Sequence, residues 1–356
     1  MNLKSKNKIR VLIVDDSAGM RMLLERIFGD DPCFEVAGLA GDGVDAVEAA
    51  GRLSPDIITM DIQMPRMDGL EATRRIMETK PVPIIILSGN LDPEEVASSF
   101  RAMEAGALAA LPKPRGVDHP EFDADVANLV RKVKLMAEVK VVKRWPRAAR
   151  KVPPALWQAT AKPVPDLEVV AIGASTGGTV VINTILSGLP ADFPLPVLIV
   201  QHMADGFIGG FADWLNLSSR LPVHVASQGE LMMPGHVYIA PDGFNLEAKE
   251  GGRMALTGCA VECGQCPSVS ALFRSMAEVY GGNAVGILLT GMGDDGAREL
   301  KLMKDKGAIT IAQDRESSVI FGMPGEAVKF GAANHVLPPD RIAALLEQLA
   351  QPRKGF

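Results

Sequence analysis

The sequence has little of what marks a secreted or membrane-spanning protein. Its 356 residues include only four cysteines, Cys33, Cys259, Cys263 and Cys266, and so few thiols indicate a reducing compartment rather than a disulfide framework. No apolar run approaches the ~20 residues that span a bilayer, so we expect no insertion into a membrane. The basic N-terminus leads directly into a short strand pattern, not into the apolar segment of a signal peptide. These absences predict a cytoplasmic protein.

An excess of positive charge is also absent. The formal net charge is −6 at pH 7, which gives no sign of a nucleic-acid partner. Hydrophobic residues make up 47% and charged residues 22%, values typical of soluble globular proteins. A chain of this length has room for two domains of ordinary size, each with its own core.

The first half alternates short apolar runs with amphipathic stretches. The apolar runs predict strands at residues 11–14, 34–39, 57–60, 84–87 and 108–111. The 3.6-residue periodicity between them predicts helices at residues 18–28, 44–52, 70–78, 94–105 and about 122–140. Because strands and helices alternate without long loops, we expect a doubly wound parallel sheet covered on both faces.

A basic, proline-rich stretch separates the two halves. Residues 131–151 contain nine Lys or Arg against the single acid Glu138, and five prolines follow between residues 146 and 165. Prolines fix φ and remove backbone donors, so we predict a semi-rigid linker over residues 136–166 between domains at 8–135 and 167–350. The basic run could bind an acidic partner, but a solvated helix end is favoured.

The second half repeats the α/β rhythm and predicts a Rossmann-like parallel sheet. Strands are expected at residues 169–172, 197–200, 284–289 and 309–312. Helices are expected at residues 180–186, 269–278 and 299–305. A further strand at residues 237–240 lies between Pro and Gly turns, which favours an antiparallel ribbon.

Polar side chains follow the predicted strands of the first half. They are Asp15 and Asp16 after the first strand, Asp61 after the third, Ser88 after the fourth and Lys113 after the fifth. The carboxyl ends of parallel strands meet at one edge of a sheet, where ligands bind. Converging carboxylates repel unless a hard cation such as Mg²⁺ lies between them. This set therefore suits an aspartate that accepts a phosphoryl group beside Mg²⁺.

The same residues resemble a response-regulator receiver domain, which has a flavodoxin-like fold. The resemblance is carried by residues 14–17, 60–65, 67–69 and 113–114. It implies that Asp61 is the phosphoacceptor, that Asp15 and Asp16 join it in holding Mg²⁺, and that a histidine kinase is the phosphodonor. It further implies that Ser88 and Lys113 contact the phosphoryl group.

One position departs from the receiver pattern. The family usually carries an aromatic switch residue on the last strand, whereas this chain has Ala110 there. The resemblance then implies either that the switch is relayed differently or that the conformational response is weaker.

The second half contains a candidate nucleophile. Residues 173–178 place Ser175 in a G-x-S-x-G pattern between a buried strand and a helix, the arrangement that exposes a serine hydroxyl on a tight turn. Glycine-rich turns of this kind also cradle phosphates. Because the dinucleotide fingerprint and the P-loop lysine are both missing, the nucleophile is favoured over nucleotide binding.

A serine nucleophile needs a base and an acid. His202 directly follows the strand at residues 197–200, so it is expected at the same sheet edge as Ser175. A glycine-rich turn at residues 288–296 carries Asp294 and Asp295, and the spacing alone does not choose between them. The order Ser, His, Asp differs from that of the α/β-hydrolases.

Several long motifs of the second half resemble the chemotaxis protein-glutamate methylesterase domain. They lie at residues 173–178, 201–203, 234–241, 267–269, 288–296 and 321–328. The resemblance implies that Asp295 is the triad acid and that the Met292 backbone N–H is an oxyanion donor. It implies glutamyl γ-methyl esters on chemoreceptors as substrate, with glutamine deamidation as a second activity and no cofactor for hydrolysis.

The chain departs from this family just before Pro267. The family commonly carries His and Arg there, whereas this chain has Cys263, Gly264, Gln265 and Cys266. A fourth nearby zinc ligand is missing, so we expect Cys259, Cys263 and Cys266 to be free thiols without metal.

Two other functions fit parts of the pattern. The second domain could be a non-catalytic output domain that docks a partner, with Ser175 and His202 inert. Alternatively, it could be a general esterase for small esters. Reaction of Ser175 with a serine-directed phosphonate and comparison of receptor with small esters separate these possibilities.

Overall fold

The computed structural model describes residues 8–89, 93–139, 141, 166–259 and 265–350. They form two compact units, one N-terminal and one C-terminal. Most of the predicted linker, and Cys263, lie outside the described residues. Among the helices that the structure describes, none combines the length and the apolar character needed to cross a membrane.

The N-terminal unit contains a five-stranded, fully parallel sheet in the order β2-β1-β3-β4-β5. The strands are β1 Ile9–Val14, β2 Phe34–Ala40, β3 Ile57–Asp61, β4 Ile84–Ser88 and β5 Ala109–Pro112. The helices are α1 Ala18–Asp30, α2 Gly43–Leu53, α3 Gly69–Thr79, α4 Pro93–Ala105 and α5 Phe122–Met136. Because β3 and β4 are buried on both faces, their residues are mostly apolar. The predicted flavodoxin-like fold is confirmed.

Helix starts in this unit are set by side chains that accept orphan backbone donors. Ser17, Asp42 and Asp68 cap α1, α2 and α3 in this way. The last helix ends at Met136, short of the predicted end near residue 140. Its final turn tightens, since the N–H groups of Glu138 and Val139 bond three residues back instead of four.

The C-terminal unit contains a seven-stranded parallel sheet in the order β14-β13-β12-β6-β7-β9-β8. The strands are β6 Val169–Ala174, β7 Val197–Gln201, β8 Val223–Val225, β9 Val237–Ile239, β12 Ala284–Leu288, β13 Ile309–Gln313 and β14 His335–Leu337. The helices are α6 Gly178–Gly188, α7 Ile208–Asn216, α8 Val269–Val279, α9 Ala297–Asp305, α10 Met323–Lys329 and α11 Pro339–Ala350. The predicted parallel sheet is confirmed.

The antiparallel ribbon lies one segment later than predicted. β9 was expected in a ribbon, but it is fully buried and pairs in parallel with β7 and β8. The ribbon is formed by β10 Phe244–Lys249 and β11 Arg253–Gly258. Helix α8 packs against β10 in the same hydrophobic core.

The cysteines differ from the expectation of free thiols. Cys259, at the end of the ribbon, forms a disulfide with Cys266, just ahead of α8, so that expectation is wrong for these two residues. The physical reason is proximity, because the fold brings their Cα atoms to 5.9 Å, within the range that a disulfide can bridge. Cys33 is a free, exposed thiol.

Candidate active sites

Ser175 lies on a short turn between β6 and α6. Its N–H donates to the carbonyl of Thr290 at 3.0 Å, and its carbonyl accepts from Gly178 at 2.8 Å. The side-chain amide of Gln201 donates to the same Ser175 carbonyl and to that of His202, each at 2.8 Å. These bonds fix the main chain of the turn on both sides of the serine.

His202 lies at the same sheet edge as Ser175, as predicted. Ala174, the last residue of β6, pairs with Gln201, the last residue of β7. Ser175 and His202 therefore directly follow the two paired strand ends. The N–H of His202 donates to the carbonyl of Ala174 at 2.9 Å. Elsewhere, His224 and His236 form a hydrogen-bonded, stacked pair with each other.

Asp295, not Asp294, faces the histidine. Its Oδ2 lies 2.9 Å from His202 Nε2, and the two side chains are only 16% and 9% exposed. Asp294 is exposed. An ionised carboxylate can only accept a hydrogen bond, so the His202 nitrogen that faces it, Nε2, carries the hydrogen. The lone pair of Nδ1 is then available as the base. In the structure of the described residues, no hydrogen bond joins this imidazole to the Ser175 hydroxyl, as is common before substrate binds.

The first turn of α8 also surrounds the Asp295 carboxylate. Oδ1 accepts from Ser268 Oγ at 3.1 Å and from Ser270 N at 2.9 Å, and Oδ2 accepts from Val269 N at 2.7 Å. Burial acts to raise the pKa of Asp295. The hydrogen bonds from His202 and Ser270, and the charge of His202 when its imidazole is protonated, outweigh burial and hold this pKa well below its ordinary value.

The loop after β12 brings Gly291, the residue before Met292, against the serine. A Cβ on Gly291 would lie only 2.7 Å from Ser175 Cβ, so this approach requires glycine. Gly291 itself is bonded through its N–H to Ile320 and through its carbonyl to Gly322 and Met323. Within the described parts of the chain, the N–H of Met292 has no hydrogen-bond acceptor. A free backbone donor therefore follows the residue that contacts Ser175.

Three carboxylates converge at the edge of the N-terminal sheet. Asp15, Asp16 and Asp61 each place an oxygen within 4.8 Å of the others. Lys113 Nζ lies 2.8 Å from Asp15 Oδ2 and 2.9 Å from Asp61 Oδ2. Clustered carboxylate oxygens are the donor set that Mg²⁺ prefers, so these residues fit that ion.

Burial and the Lys113–carboxylate contacts act in opposite directions at this edge. Burial, together with the smaller effect of the Asp15 charge, raises the pKa of Asp61 to about 6 against the hydrogen bond and charge of Lys113. Burial also acts to lower the pKa of Lys113, but hydrogen bonds to Asp15 and Asp61 raise it overall. An added cation would relieve the repulsion between the carboxylates.

Ser88 lies at the end of β4, as predicted, and its hydroxyl donates to Glu95 Oε1 at 2.7 Å. The N–H of Gly89 donates to the same oxygen at 2.8 Å. Glu95 is a buried acid on α4 that the sequence analysis did not identify. A Ser88 hydroxyl that contacts a phosphoryl group must therefore exchange this partner.

Two other residues at the serine edge were missed from the sequence. Gln201 stands beside His202 and looks like an ordinary strand end, and Ser268 looks like an ordinary helix cap. The available signal was local: Ser268 follows a proline and precedes an apolar helix pattern. Neither feature says that the residue contacts the catalytic groups, because those contacts come from distant parts of the chain.

Comparisons with known proteins give a match for each of the two units. The model of the response regulator receiver domain matches residues 11–121, and the model of the CheB methylesterase matches residues 170–346. A protein-glutamate methylesterase/protein-glutamine glutaminase from Geobacter metallireducens is 59% identical over 97% of this chain and 100% of its own length. A protein of the same description from Nitrosospira multiformis is 52% identical over 97% and 98%.

A solved structure supports the fold of the C-terminal unit. The Thermotoga maritima CheB methylesterase catalytic domain is 38% identical, with a TM-score of 0.50, and the match covers 51% of this chain and 98% of that domain. Together the two units define a response regulator joined to an esterase-type α/β domain. The chain belongs to the CheB methylesterase family.

Proposed function

We propose that this chain hydrolyses glutamyl γ-methyl esters on chemoreceptors and that Ser175, His202 and Asp295 form its catalytic triad. The single observation that carries this proposal is the buried 2.9 Å contact between His202 and Asp295 at the strand end beside Ser175. Glutamine deamidation follows the same acyl chemistry with ammonia as the leaving group. Such receptors present these side chains in the cytoplasm, which is where we expect the enzyme.

In the first half-reaction Ser175 attacks the ester carbonyl. His202 Nδ1 takes the serine proton, and Asp295 stabilises the imidazolium that forms. The proton then passes to the departing methanol, which leaves an acyl-enzyme on Ser175. Water attacks this ester with His202 again as base and releases the glutamate side chain.

The oxyanion of each tetrahedral intermediate needs a donor. The N–H of Met292, which has no acceptor among the described residues, supports this role because it follows the glycine that contacts Ser175. Removal of one such donor typically costs ~3–4 kcal/mol in the barrier.

The receiver is the regulatory half. Asp61 accepts a phosphoryl group from a histidine kinase, and Lys113 and Ser88 contact the added oxygens. Asp15, Asp16 and Asp61 would hold Mg²⁺, which offsets the negative charge of the carboxylates and the phosphoryl group when it is bound.

The test is methanol release from a methylated chemoreceptor, with the Ser175→Ala variant beside Ser187→Ala. Ser187 lies at the far end of α6, where its hydroxyl bonds within the helix. We expect Ser175→Ala to lose essentially all activity and Ser187→Ala to keep it. A serine-directed phosphonate should label the wild type stoichiometrically at Ser175 and leave Ser175→Ala unlabelled.

The same experiment separates the alternatives. An unlabelled, inactive wild-type protein that still binds receptor would show a docking domain. Faster turnover of free small esters than of methylated receptor would show a general esterase.

A further inference from the structure

The triad acid is held by the start of one helix. All three of the first residues after Pro267 donate to Asp295, and two of them do so through backbone N–H groups. Gly296, the residue after Asp295, has a φ of 81°. A Cβ at this position would overlap Val269, so the loop that carries Asp295 packs directly against this turn. The remaining donor, Ser268 Oγ, is the only one of the three that a side-chain substitution removes.

Building on the triad proposed above, we propose that Ser268 is a positioning residue for the hydrolysis. Its hydroxyl fixes the Asp295 carboxylate in the rotation that points His202 toward Ser175. Ser268 is 6% exposed, so water does not readily replace this donor.

Ser268 is itself anchored on two further sides. Its N–H donates to Asn245 Oδ1 of the ribbon at 2.8 Å, and its Oγ accepts from Ala271 N at 3.4 Å as the N-cap of α8. The hydroxyl therefore has a fixed position relative to both the ribbon and the helix. A donor held in this way restricts the carboxylate more than a mobile side chain does.

The two carboxylate oxygens of Asp295 have matched partners. Oδ1 is held by Ser268 Oγ and Ser270 N, and Oδ2 is held by Val269 N and His202 Nε2. Without the Ser268 hydroxyl, Oδ1 loses one of its donors and the carboxylate can rotate about its Cβ–Cγ bond. Rotation moves Oδ2, and the imidazole follows it away from the serine.

The experiment compares Ser268→Ala, Ser268→Gly and Ser268→Thr with the control Ser275→Ala in the full-length protein. Ser275 is a second buried serine of α8, and its hydroxyl accepts from Ala248 N of the ribbon without touching Asp295. Ser268→Gly removes the hydroxyl but keeps a residue that caps helices well. Methanol release from methylated receptor gives kcat and KM for each variant.

We expect Ser268→Ala and Ser268→Gly to lose about tenfold to a hundredfold in kcat, with KM unchanged, because the catalytic groups are misaligned while the substrate still binds. Ser268→Thr should restore most of the rate, and Ser275→Ala should match the wild type. In the Asp295→Asn background, Ser268→Ala should cause no further loss, since the two residues act through one contact.

Two results would overturn the role of Ser268. One is a kcat of folded Ser268→Gly equal to that of Ser275→Ala. The other is a full additional loss in the Asp295→Asn background. If Ser175→Ala and Asp295→Asn lose activity while either of these results is found, the triad is supported and only the proposed role of Ser268 is refuted. Retained activity in Ser175→Ala would remove both proposals.

Discussion

Asp294 and Asp295 are neighbours in the chain, but the fold gives them different surroundings. Asp295 is largely buried and each of its oxygens has two donors. Asp294 is exposed, and its carbonyl accepts from Ala297 at the start of α9. Only one of the two carboxylates can orient an imidazole.

The two carboxylates should therefore contribute very differently to catalysis. Asp295→Asn should lower kcat by up to about 10⁴-fold, since an amide can hold the wrong imidazole tautomer. Asp294→Asn removes the same formal charge one residue away and should retain most of the activity. Methanol release from methylated receptor measures both, and the opposite ranking would assign the acid to Asp294.

The lowered pKa of Asp295 also predicts how stability depends on pH. The unfolded chain binds a proton at this carboxyl near pH 4, whereas the folded chain keeps it ionised to lower pH. The stabilisation is therefore fully present above the unfolded pKa and is lost as the pH falls through the folded pKa. The difference in unfolding free energy between wild type and Asp295→Asn should shrink between about pH 5 and pH 3.

Urea unfolding followed by the fluorescence of Trp214, which is buried in α7, measures this difference. The other two tryptophans, Trp145 and Trp157, are replaced by Phe in every variant so that the signal reports the C-terminal unit. Asp294→Asn, which removes the neighbouring exposed carboxylate, is the matched variant for this comparison. If the free energies of unfolding of wild type and Asp295→Asn differ by the same amount at every pH in this range, the lowered pKa of Asp295 does not contribute to stability.

At the scale of elements, the ends of β1, β3 and β5 assemble the acidic edge of the receiver. We expect acetyl phosphate with Mg²⁺ to phosphorylate the wild-type protein, as detected by intact-protein mass spectrometry. EDTA should stop the reaction, because the three carboxylates then repel both each other and the phosphodonor. Asp61→Asn should prevent it completely.

The matched control for this edge is Asp56→Asn. Asp56 stands just ahead of β3, at the opposite end of the strand from Asp61, and accepts from Arg10 N at 2.8 Å. The Asp56→Asn variant should be phosphorylated to the same extent as the wild type. Phosphorylation of Asp61→Asn at an unchanged level would place the acceptor elsewhere.

At the scale of the whole molecule, the question is how the receiver controls the esterase. The C-terminal unit has its own sheet and core, and a relative's catalytic domain has been solved by itself. We expect residues 167–356 alone to outperform the unphosphorylated full-length protein on methylated receptor. Phosphodonor should raise the rate of the full-length protein toward that of the fragment. While the uninhibited population is small, each ~1.4 kcal/mol by which phosphorylation shifts the equilibrium toward it should raise the rate about tenfold. Asp61→Asn should abolish the response, and equal rates at the outset would show that the receiver does not inhibit.

Ala110 is expected to limit this response. It lies on β5 and pairs with Ile86, and the resemblance to receivers implies that an aromatic ring is usual at this position. Ala110→Tyr should therefore raise the ratio of phosphorylated to unphosphorylated activity in the same assay. A smaller ratio in this variant would show that the switch uses another residue.

The sequence alone predicted all five strands of the first sheet and four of the seven strands of the second, β6, β7, β12 and β13, together with the carboxyl edges of both sheets. Strands buried on both faces need continuous apolar runs, and a polar residue directly after such a run must lie at the carboxyl end of its strand. This local rule identified Ser175, His202 and Asp61. The choice of Asp295 over Asp294 came only from resemblance, because both follow the same strand.

Contacts between residues that lie far apart in the chain were decided only by the tertiary structure. Ser268 contacts Asp295 across 27 positions. The strand β9 joined the sheet instead of a ribbon because its buried faces are covered by neighbours from other segments. Local sequence sets a residue's own backbone preference, but the partner that satisfies a buried polar group or a strand edge is chosen by packing.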